Sequence, residues 1–299
     1  MEKLIEKAEV LLESLPYIKK FFGKNIVIKY GGNAMVSEEL KESFALDIVM
    51  MKYVGIDPVV VHGGGPQIGK TLEALGIEST FVDGQRVTSQ NMIDVVEMVL
   101  GGKINKEIVS LINRHGGKAV GVTGKDGGLI HAKRYQKMKK CPETNRPEII
   151  DLGLVGEITR VDPQILRTLD RDEFIPVIAP IGRGEDGETL NINADFVAGK
   201  IASALKAEKL VLMTDVEGVK DQYEKLIPEM DIKKTKKLID EGIISGGMTP
   251  KVKCCLDALA EGTHKTHIID GRIKHAVLLE MFTEEGIGTQ IIKDTGYQF

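Results

Sequence analysis

Short apolar runs recur along this chain, each closing on a polar residue or a glycine turn and most leading into a longer helical stretch. No other feature limits the possible folds as strongly. The runs are Ile26 to Tyr30, Val59 to His62, Ala119 to Val122, Ile175 to Ala179, Leu210 to Met213 and His267 to Ile269. Between them lie segments with helical periodicity, including Glu38 to Tyr53, Asn91 to Arg114 and Asp195 to Leu205. Such alternation predicts an α/β chain whose mainly parallel sheet is buried between helix layers. In sheets of that kind ligands sit at the carboxyl ends of the strands, so the residues that follow each run are the ones to read for function.

The length of 299 residues favours two lobes over one small module. Residues 3–22 carry an apolar stripe at Leu4, Ala8, Leu11, Leu15 and Ile18, the spacing of an amphipathic helix. Pro16 interrupts the stripe, which predicts two helical pieces with a kink near Ser14 and Leu15, ending at Gly23. The basic stretch Lys133 to Pro147, which contains Cys141, reads as a hairpin or flap, and Gly182 to Glu188 reads as a second break where the lobes divide. The expected organisation is an N-terminal helix over 1–23, a first lobe over 24–188 and a second over 189–299. With 40 basic against 44 acidic residues and a net charge of -4, a surface dominated by nucleic-acid binding is excluded, so any anion must be held locally. There is no apolar run near the ~20 residues of a bilayer span and no basic-then-apolar leader pattern, so no membrane partner and a cytoplasmic location are expected. The three cysteines, two of them adjacent at Cys254 and Cys255, have neither disulfide nor metal-ligand spacing, and no metal site is expected of them.

Glycine-rich turns concentrate the candidate chemistry. Lys29 closes the first run ahead of Gly31 and Gly32, an arrangement that suits a phosphate or serves as a plain strand-to-helix turn. His62-Gly63-Gly64-Gly65-Pro66 follows the second run, and Gly64 to Thr71 within it spells G-x-x-x-x-G-K-T, the P-loop signature with Lys70 in the lysine position. Asp215, after the fifth run, stands where such a site would hold Mg²⁺, so a P-loop NTPase is a real alternative. An esterase oxyanion loop is not, because the chain has no G-x-S-x-G elbow. Gly182 to Gly187 matches the dinucleotide fingerprint G-x-G-x-x-G, but Glu185 and Asp186 would oppose a pyrophosphate, so it reads as a surface turn. Ser245 to Lys251, with Gly246, Gly247 and Met248, leads into a helix and again suits phosphate. Asn191, Asn193 and Asp195 open another helix, either as caps or as ligands. Arg86, after Gly84 and Gln85, is placed to grip a carboxylate or to lie on the surface.

In order, the blocks IVIKYGGNAM, VVVHGGGP, GQRVT, NINAD, LVLMTDVEGV and GGMTPKV resemble the amino acid kinase family, from about Ile26 to the C-terminus. Within the family they resemble the members that phosphorylate the γ-carboxylate of N-acetyl-L-glutamate, the second step of arginine synthesis. The resemblance implies a three-layer αβα sandwich, an N-terminal lobe for the acyl acceptor and a C-terminal lobe for ATP with Mg²⁺. It would give Lys29 and Lys251 to the transferring phosphoryl group, with Asp195 orienting both. Gly64, Gly65, Arg86, Asn191 and Asn193 would go to N-acetyl-L-glutamate, and Gly31, Gly32, Thr214, Asp215, Gly246, Gly247 and Met248 to ATP. Lys70 would then be incidental. The leading helix resembles that of the arginine-inhibited members, which implies a homohexamer built as a trimer of dimers. L-arginine would bind near Tyr17, Lys209, His267, Glu280 and Gly288, and a PII-type signalling protein is a further possible partner. A kinase acting on carrier-linked aminoadipate or glutamate is the rival within the family.

Overall fold

The computed structural model describes residues 1–82, 84–140, 147–284 and 286–293. In chain order α1 (Glu2–Phe21) leads to β1 (Asn25–Tyr30), a single turn at Gly32–Met35, α2 (Glu38–Tyr53), β2 (Asp57–His62) and α3 (Gly65–Ala74). The short β3 (Phe81–Val82) and β4 (Gln85–Arg86) precede α4 (Gln90–Glu97), a π-helical turn over Met98–Ile104, α5 (Asn105–Arg114) and β5 (Ala119–Thr123). A long hairpin of β6 (Ile130–Lys140) and β7 (Pro147–Val161) follows, then α6 (Gln164–Arg171), β8 (Ile175–Ala179), β9 (Ile181–Arg183), β10 (Thr189–Asn191) and α7 (Ala194–Leu205). The last part is β11 (Lys209–Thr214), β12 (Glu229–Asp231), α8 (Ile232–Asp240), α9 (Met248–Ala260), β13 (Lys265–Asp270), α10 (Ala276–Phe282) and β14 (Thr289–Ile292).

Eight strands make one sheet in the order β12-β14-β13-β11-β1-β2-β8-β5, and only the β13–β14 pair is antiparallel. All six apolar runs of the sequence are strands of this sheet. Side chains alternate between its faces with period two. On β1, Ile26, Ile28 and Tyr30 enter a core shared with α2, α5 and α10, whereas Val27 enters a second core shared with α7 and α9. A helix layer therefore covers each face, the αβα sandwich expected. Lys29 shares its face with Val27, so its side chain rises toward α7 and α9. A smaller closed set, β10-β7-β6-β9, stands beside the main sheet.

Three local expectations need correction or completion. The leading helix is one uninterrupted element, with Pro16 inside it, rather than two pieces. The N–H that proline lacks would have bonded Leu12, which is exposed, so that carbonyl turns to water at small cost. Gly182 to Glu188 is the turn of the β9–β10 hairpin, closed by Gly184 N–H donating to Glu188 O at 2.8 Å, and no helix opens there to receive a pyrophosphate. The basic flap is a hairpin as expected, while its Cys141 lies outside the described residues. Among the described residues no helix is long and apolar enough to cross a membrane.

Candidate active site

Three charged side chains from three elements meet over the carboxyl end of β1. Lys29 is held in register by ladders on both sides, opposite Leu212 of β11 and Val61 of β2. Asp195 is the second residue of α7, where Asn193 caps the helix by accepting from the N–H groups of Asp195 (2.8 Å) and Phe196 (3.4 Å). Lys251 stands in the first turn of α9. Its Nζ donates to Asp195 Oδ2 at 2.7 Å, and Lys29 Nζ lies 3.1 Å from Oδ1 as a charge contact off the hydrogen-bond direction. Burial alone would raise the Asp195 pKa, but the two ammonium groups overcome it and hold the carboxyl at about 2. One fixed anion thus keeps two cations side by side that would otherwise repel each other.

A cavity of about 180 Å³ whose lining runs to Asn193 and Ala194, next to Asp195 in sequence, also takes in Gly63, Gly64, Gly65, Arg86 and Asn191. The Gly63 N–H donates to Tyr30 O at 2.8 Å, and Arg86 Nη2 donates to Gly65 O at 3.0 Å. Gly64 caps α3 and Gly65 is its first residue, so their N–H groups have no intrahelical acceptor and are available to an anion. A side chain at 64 is impossible without repacking, since a Cβ there would lie 2.5 Å from Ile104 and 2.7 Å from Leu100. Arg86 is 8% exposed, donates to Ser79 and stacks 4.6 Å over Phe81. Among the described residues no carboxylate pairs with it, leaving a buried guanidinium that suits an anionic ligand. Asn191 is steadied by Nδ2 donating to Thr88 Oγ1 at 3.2 Å. Asn193 has its oxygen engaged as a cap, so only its amide nitrogen remains to face the cavity.

A second cavity, of about 430 Å³, is lined by Asp215, Gly218, Ser245, Arg272 and Met248, the last in the same turn of α9 as Lys251, among others. Thr214 is buried at the end of β11, and Asp215 just beyond it accepts from Asn33 N–H at 2.6 Å. This contact needs Gly32, whose φ is +68° and whose missing Cβ would sit 2.3 Å from the Asp215 carboxylate. The turn Gly246-Gly247 meets no neighbouring atom at either Cβ position and delivers the N-terminus of the 13-residue helix α9 to the cavity edge. Met248 and Thr249 N–H donate to Ser245 O and Gly246 O, and Pro250 has no N–H, so it is the open Gly246-Gly247 backbone together with Lys251 that suits the phosphates of a nucleotide. Among the described residues no three His, Cys, Asp or Glu side chains converge as a metal cage. The P-loop signature is not a P-loop in space: α3 begins at Gly65, so the positions that would wrap phosphate are already helical, and Lys70 is exposed in the second turn.

The amino acid kinase family profile matches residues 24–270. The chain belongs to the amino acid kinase family. Two relatives over almost their whole length are acetylglutamate kinases. That of Syntrophus aciditrophicus (strain SB) is 59% identical over 292 residues, covering 98% of this chain and 99% of the relative. That of Syntrophobacter fumaroxidans (strain DSM 10017 / MPOB) is 60% identical over 290 residues, covering 97% of each. Among solved structures, an N-acetylglutamate synthase from Neisseria gonorrhoeae complexed with coenzyme A and N-acetyl-glutamate superposes with a TM-score of 0.83 at 22% identity. The match covers 97% of this chain and 64% of the synthase. Carbamate kinase from Giardia lamblia bound to AMP-PNP has a TM-score of 0.63 at 17% identity, over 91% and 99% of the two chains. At these identities the structural matches establish the shared amino acid kinase fold alone.

A third cavity, of about 310 Å³, brings together Tyr17 and Phe21 of α1, Lys209, His267, Glu280 and Gly288. All five residues that the resemblance assigned to arginine line it. Glu280 is buried and accepts from Lys209 Nζ at 3.1 Å and from His267 Nδ1 at 2.5 Å, while its second oxygen accepts from Ile287 N–H at 3.0 Å. Burial pulls its pKa upward, yet those partners hold it at about 2, and burial lowers the pKa of His267. His267 Nε2 is buried with no partner among the described residues.

Motif reading missed the groups that steady this amino acid kinase site from behind. Ser79 and Phe81 hold Arg86, Thr88 holds Asn191, and a buried Asn105 contacts His62. Ser79, Phe81 and Asn105 lie outside the glycine blocks, whereas His62 and Thr88 fall inside quoted blocks without the motif giving them a role.

Proposed function

We propose that this chain transfers the γ-phosphoryl group of ATP to the γ-carboxylate of N-acetyl-L-glutamate, giving N-acetylglutamyl 5-phosphate and ADP. The observation that carries this reading is Asp195 holding Lys29 and Lys251 together, next in sequence to Asn193 and Ala194 of a cavity that contains buried Arg86, while Lys251 shares the first turn of α9 with Met248 of a second cavity. The names of the relatives support the same substrate.

The acceptor carboxylate is ionised at neutral pH, with an ordinary pKa near ~4.3, so no general base is needed. What the reaction requires is alignment of two anions and neutralisation of charge on the transferring oxygens. Arg86 takes a substrate carboxylate, the Gly64 and Gly65 amides take the other anionic end, and Asn191 and Asn193 orient the acyl group. Lys29 from β1 and Lys251 from α9 flank the position where the phosphoryl group passes. Gly31, Gly32, Thr214, Asp215 and the Gly246–Met248 turn hold the nucleotide. The glycine amides, lysines and Asp215 fit a nucleotide carrying Mg²⁺, which supplies charge neutralisation between the phosphates. The lobe over 24–188 then serves mainly the acceptor, with Asn191 and Asn193 reaching in from the second lobe, and the lobe over 189–299 serves mainly the nucleotide, with Gly31 and Gly32 reaching in from the first.

The cavity beside α1 supports a second reading, inhibition by L-arginine in a hexamer interlaced through the leading helices. Glu280 there is a buried carboxylate suited to a guanidinium, and Tyr17 ties the cavity to α1. An acyl-hydroxamate assay with ATP tests both readings. Product should appear with N-acetylglutamate and not with free glutamate, aspartate or aminoadipate derivatives, and millimolar arginine should suppress it. Turnover restricted to an aminoadipate derivative would reject the proposed substrate, and indifference to arginine would reject the regulatory reading.

A further inference from the structure

Behind the acceptor loop lies a buried polar chain that the proposed chemistry does not use. His62, the last residue of β2, is fully buried, as is Asn105, the first residue of α5. His62 Nδ1 is 2.8 Å from Gly63 O, and His62 Nε2 is 3.3 Å from Asn105 Nδ2. The same Asn105 nitrogen donates to Val177 O at 2.9 Å, and its oxygen accepts from Lys106 Nζ at 3.0 Å. These contacts fix every proton. An ammonium only donates and a carbonyl only accepts, so the Asn105 amide has one possible orientation. Its nitrogen must donate to His62 Nε2, and Gly63 O can only accept, so the proton of the imidazole is on Nδ1.

From this network we infer that His62 is a positioning residue for the acceptor site, its Nδ1–H fixing the Gly63 carbonyl so that the Gly64 and Gly65 amides point at the substrate. The inference rests on the proposed assignment of that loop to the acyl acceptor. Gly63 is gripped from both ends, its N–H by Tyr30 O and its carbonyl by His62. The peptide joining Gly63 to Gly64 contains both that carbonyl and the Gly64 N–H, so the hydrogen bond from His62 sets the direction of the first amide presented to the ligand. Burial lowers the His62 pKa to about 4, so the ring stays neutral and the donor stays in place at physiological pH.

The surroundings are built around this chain. The π-helical turn Met98–Ile104 ends with Asn105 N–H donating to Leu100 O, and the extra residue of that turn sets Asn105 under β2. Leu100 and Ile104 from the same turn fill the space that a Cβ on Gly64 would need. On the far side Gly121 of β5 leaves the room that Asn105 occupies, because a Cβ there would fall 1.8 Å from Asn105 Oδ1. One irregular turn therefore places both the group that orients His62 and the side chains that confine the loop.

Side-chain replacements that differ by one atom position give the test. In His62→Asn the amide nitrogen replaces Nδ1 and can still donate to Gly63, whereas in His62→Gln it reaches only the Nε2 position, and His62→Leu donates nowhere. Expected is a rise of at least about tenfold in KM for N-acetylglutamate in His62→Gln and His62→Leu, with the KM for ATP within about twofold. His62→Asn should recover most of the loss. Equal kinetics for wild type and His62→Gln, no recovery in His62→Asn, or a parallel rise in the KM for ATP would each overturn the inference. Gly121→Ala, which displaces Asn105 without touching the loop, should give the same acceptor-selective rise, and unchanged acceptor KM there counts against the network. The wild-type protein supplies a measurement independent of any variant's folding: ¹⁵N spectra of labelled histidine should show His62 as the Nδ1–H tautomer, and the Nε2–H tautomer would overturn the inference. If wild type turns over no N-acetylglutamate at all, the proposed substrate fails while the tautomer still decides the network.

Discussion

At the scale of single residues, the decisive group is Asp195, because two lysines depend on one carboxylate. Removing either lysine leaves Asp195 paired with the other, so the cluster survives structurally while transition-state charge is left exposed. Lys29→Ala and Lys251→Ala should each cost at least about 3 kcal/mol in kcat, by analogy with the loss of one preorganised donor to a developing charge. Near-wild-type turnover by a folded Lys29→Ala protein would refute that role. Asp195→Asn is different, since it keeps the shape and removes the charge that lets two ammonium groups sit together. The pair Lys29→Ala and Asp195→Asn should therefore be strongly non-additive in kcat, and additive losses would show that the three groups do not act as a unit. The sign of the pH effect is fixed by the lowered pKa. The stabilising contribution of Asp195 is complete above the ordinary carboxylate value of ~3.9 and fades as pH falls through about 2. Between pH 5 and 9 the Asp195 carboxylate does not titrate, so no step in activity over that range arises from it.

Elements meet through another buried carboxylate, Asp47, of opposite sign in its effect. Asp47 of α2 is 1% exposed and lies 2.6 Å from His275 Nδ1, at the start of α10, whose backbone N–H donates to Ser43 Oγ at 2.6 Å. Burial outweighs His275 and the N–H groups of Val277 and Leu278, raising the Asp47 pKa to about 6. A raised folded value stabilises the protonated form, so the contribution is full below about 3.9 and is lost as pH rises through 6. Two pKa units correspond to at most about 3 kcal/mol. Denaturant unfolding at pH 4 and pH 7 should therefore show a loss in wild type that is smaller by up to that amount in Asp47→Asn. An identical pH difference in both proteins would place the loss elsewhere. Legibility follows the same physical division. The six apolar runs became six strands of one sheet because a strand covered on both faces must be almost continuously apolar, a pattern visible in one dimension. The edge strand β12 and its inner neighbour β14 are only three and four residues long, too short to form an apolar run, and no run announced them. The π-turn at Met98–Ile104 preserves helical periodicity on both sides of one extra residue, so a single helix from Asn91 to Arg114 was the natural reading. The glycine blocks announced the loops of the site, whereas Ser79, Asn105 and Thr88 acquire their roles only through contacts between elements distant in sequence.

The whole molecule presents one surface that the isolated chain leaves incomplete. Along α1, Leu4 is 64% exposed, Leu11 67% and Leu12 65%, with Ile5, Val10 and Leu15 also open, whereas Tyr17 and Phe21 at its far end pack on the body and line the third cavity. Covering two such leucines in an assembly is worth about 3 to 6 kcal/mol of apolar burial per helix, enough to decide whether subunits associate at cellular concentration. The helix is joined to the catalytic body at the cavity that contains Glu280, so the proposed assembly and the proposed arginine response should fail together. Leu4→Glu/Leu11→Glu should reduce the mass seen by light scattering and weaken inhibition by arginine, while kcat and KM without arginine stay within about twofold, because neither residue approaches the Lys29–Asp195–Lys251 cluster. A smaller particle that kept the full arginine response would show that the cavity works within one chain and that α1 serves assembly alone. An unchanged particle would mean that the exposed stripe is not the contact between subunits.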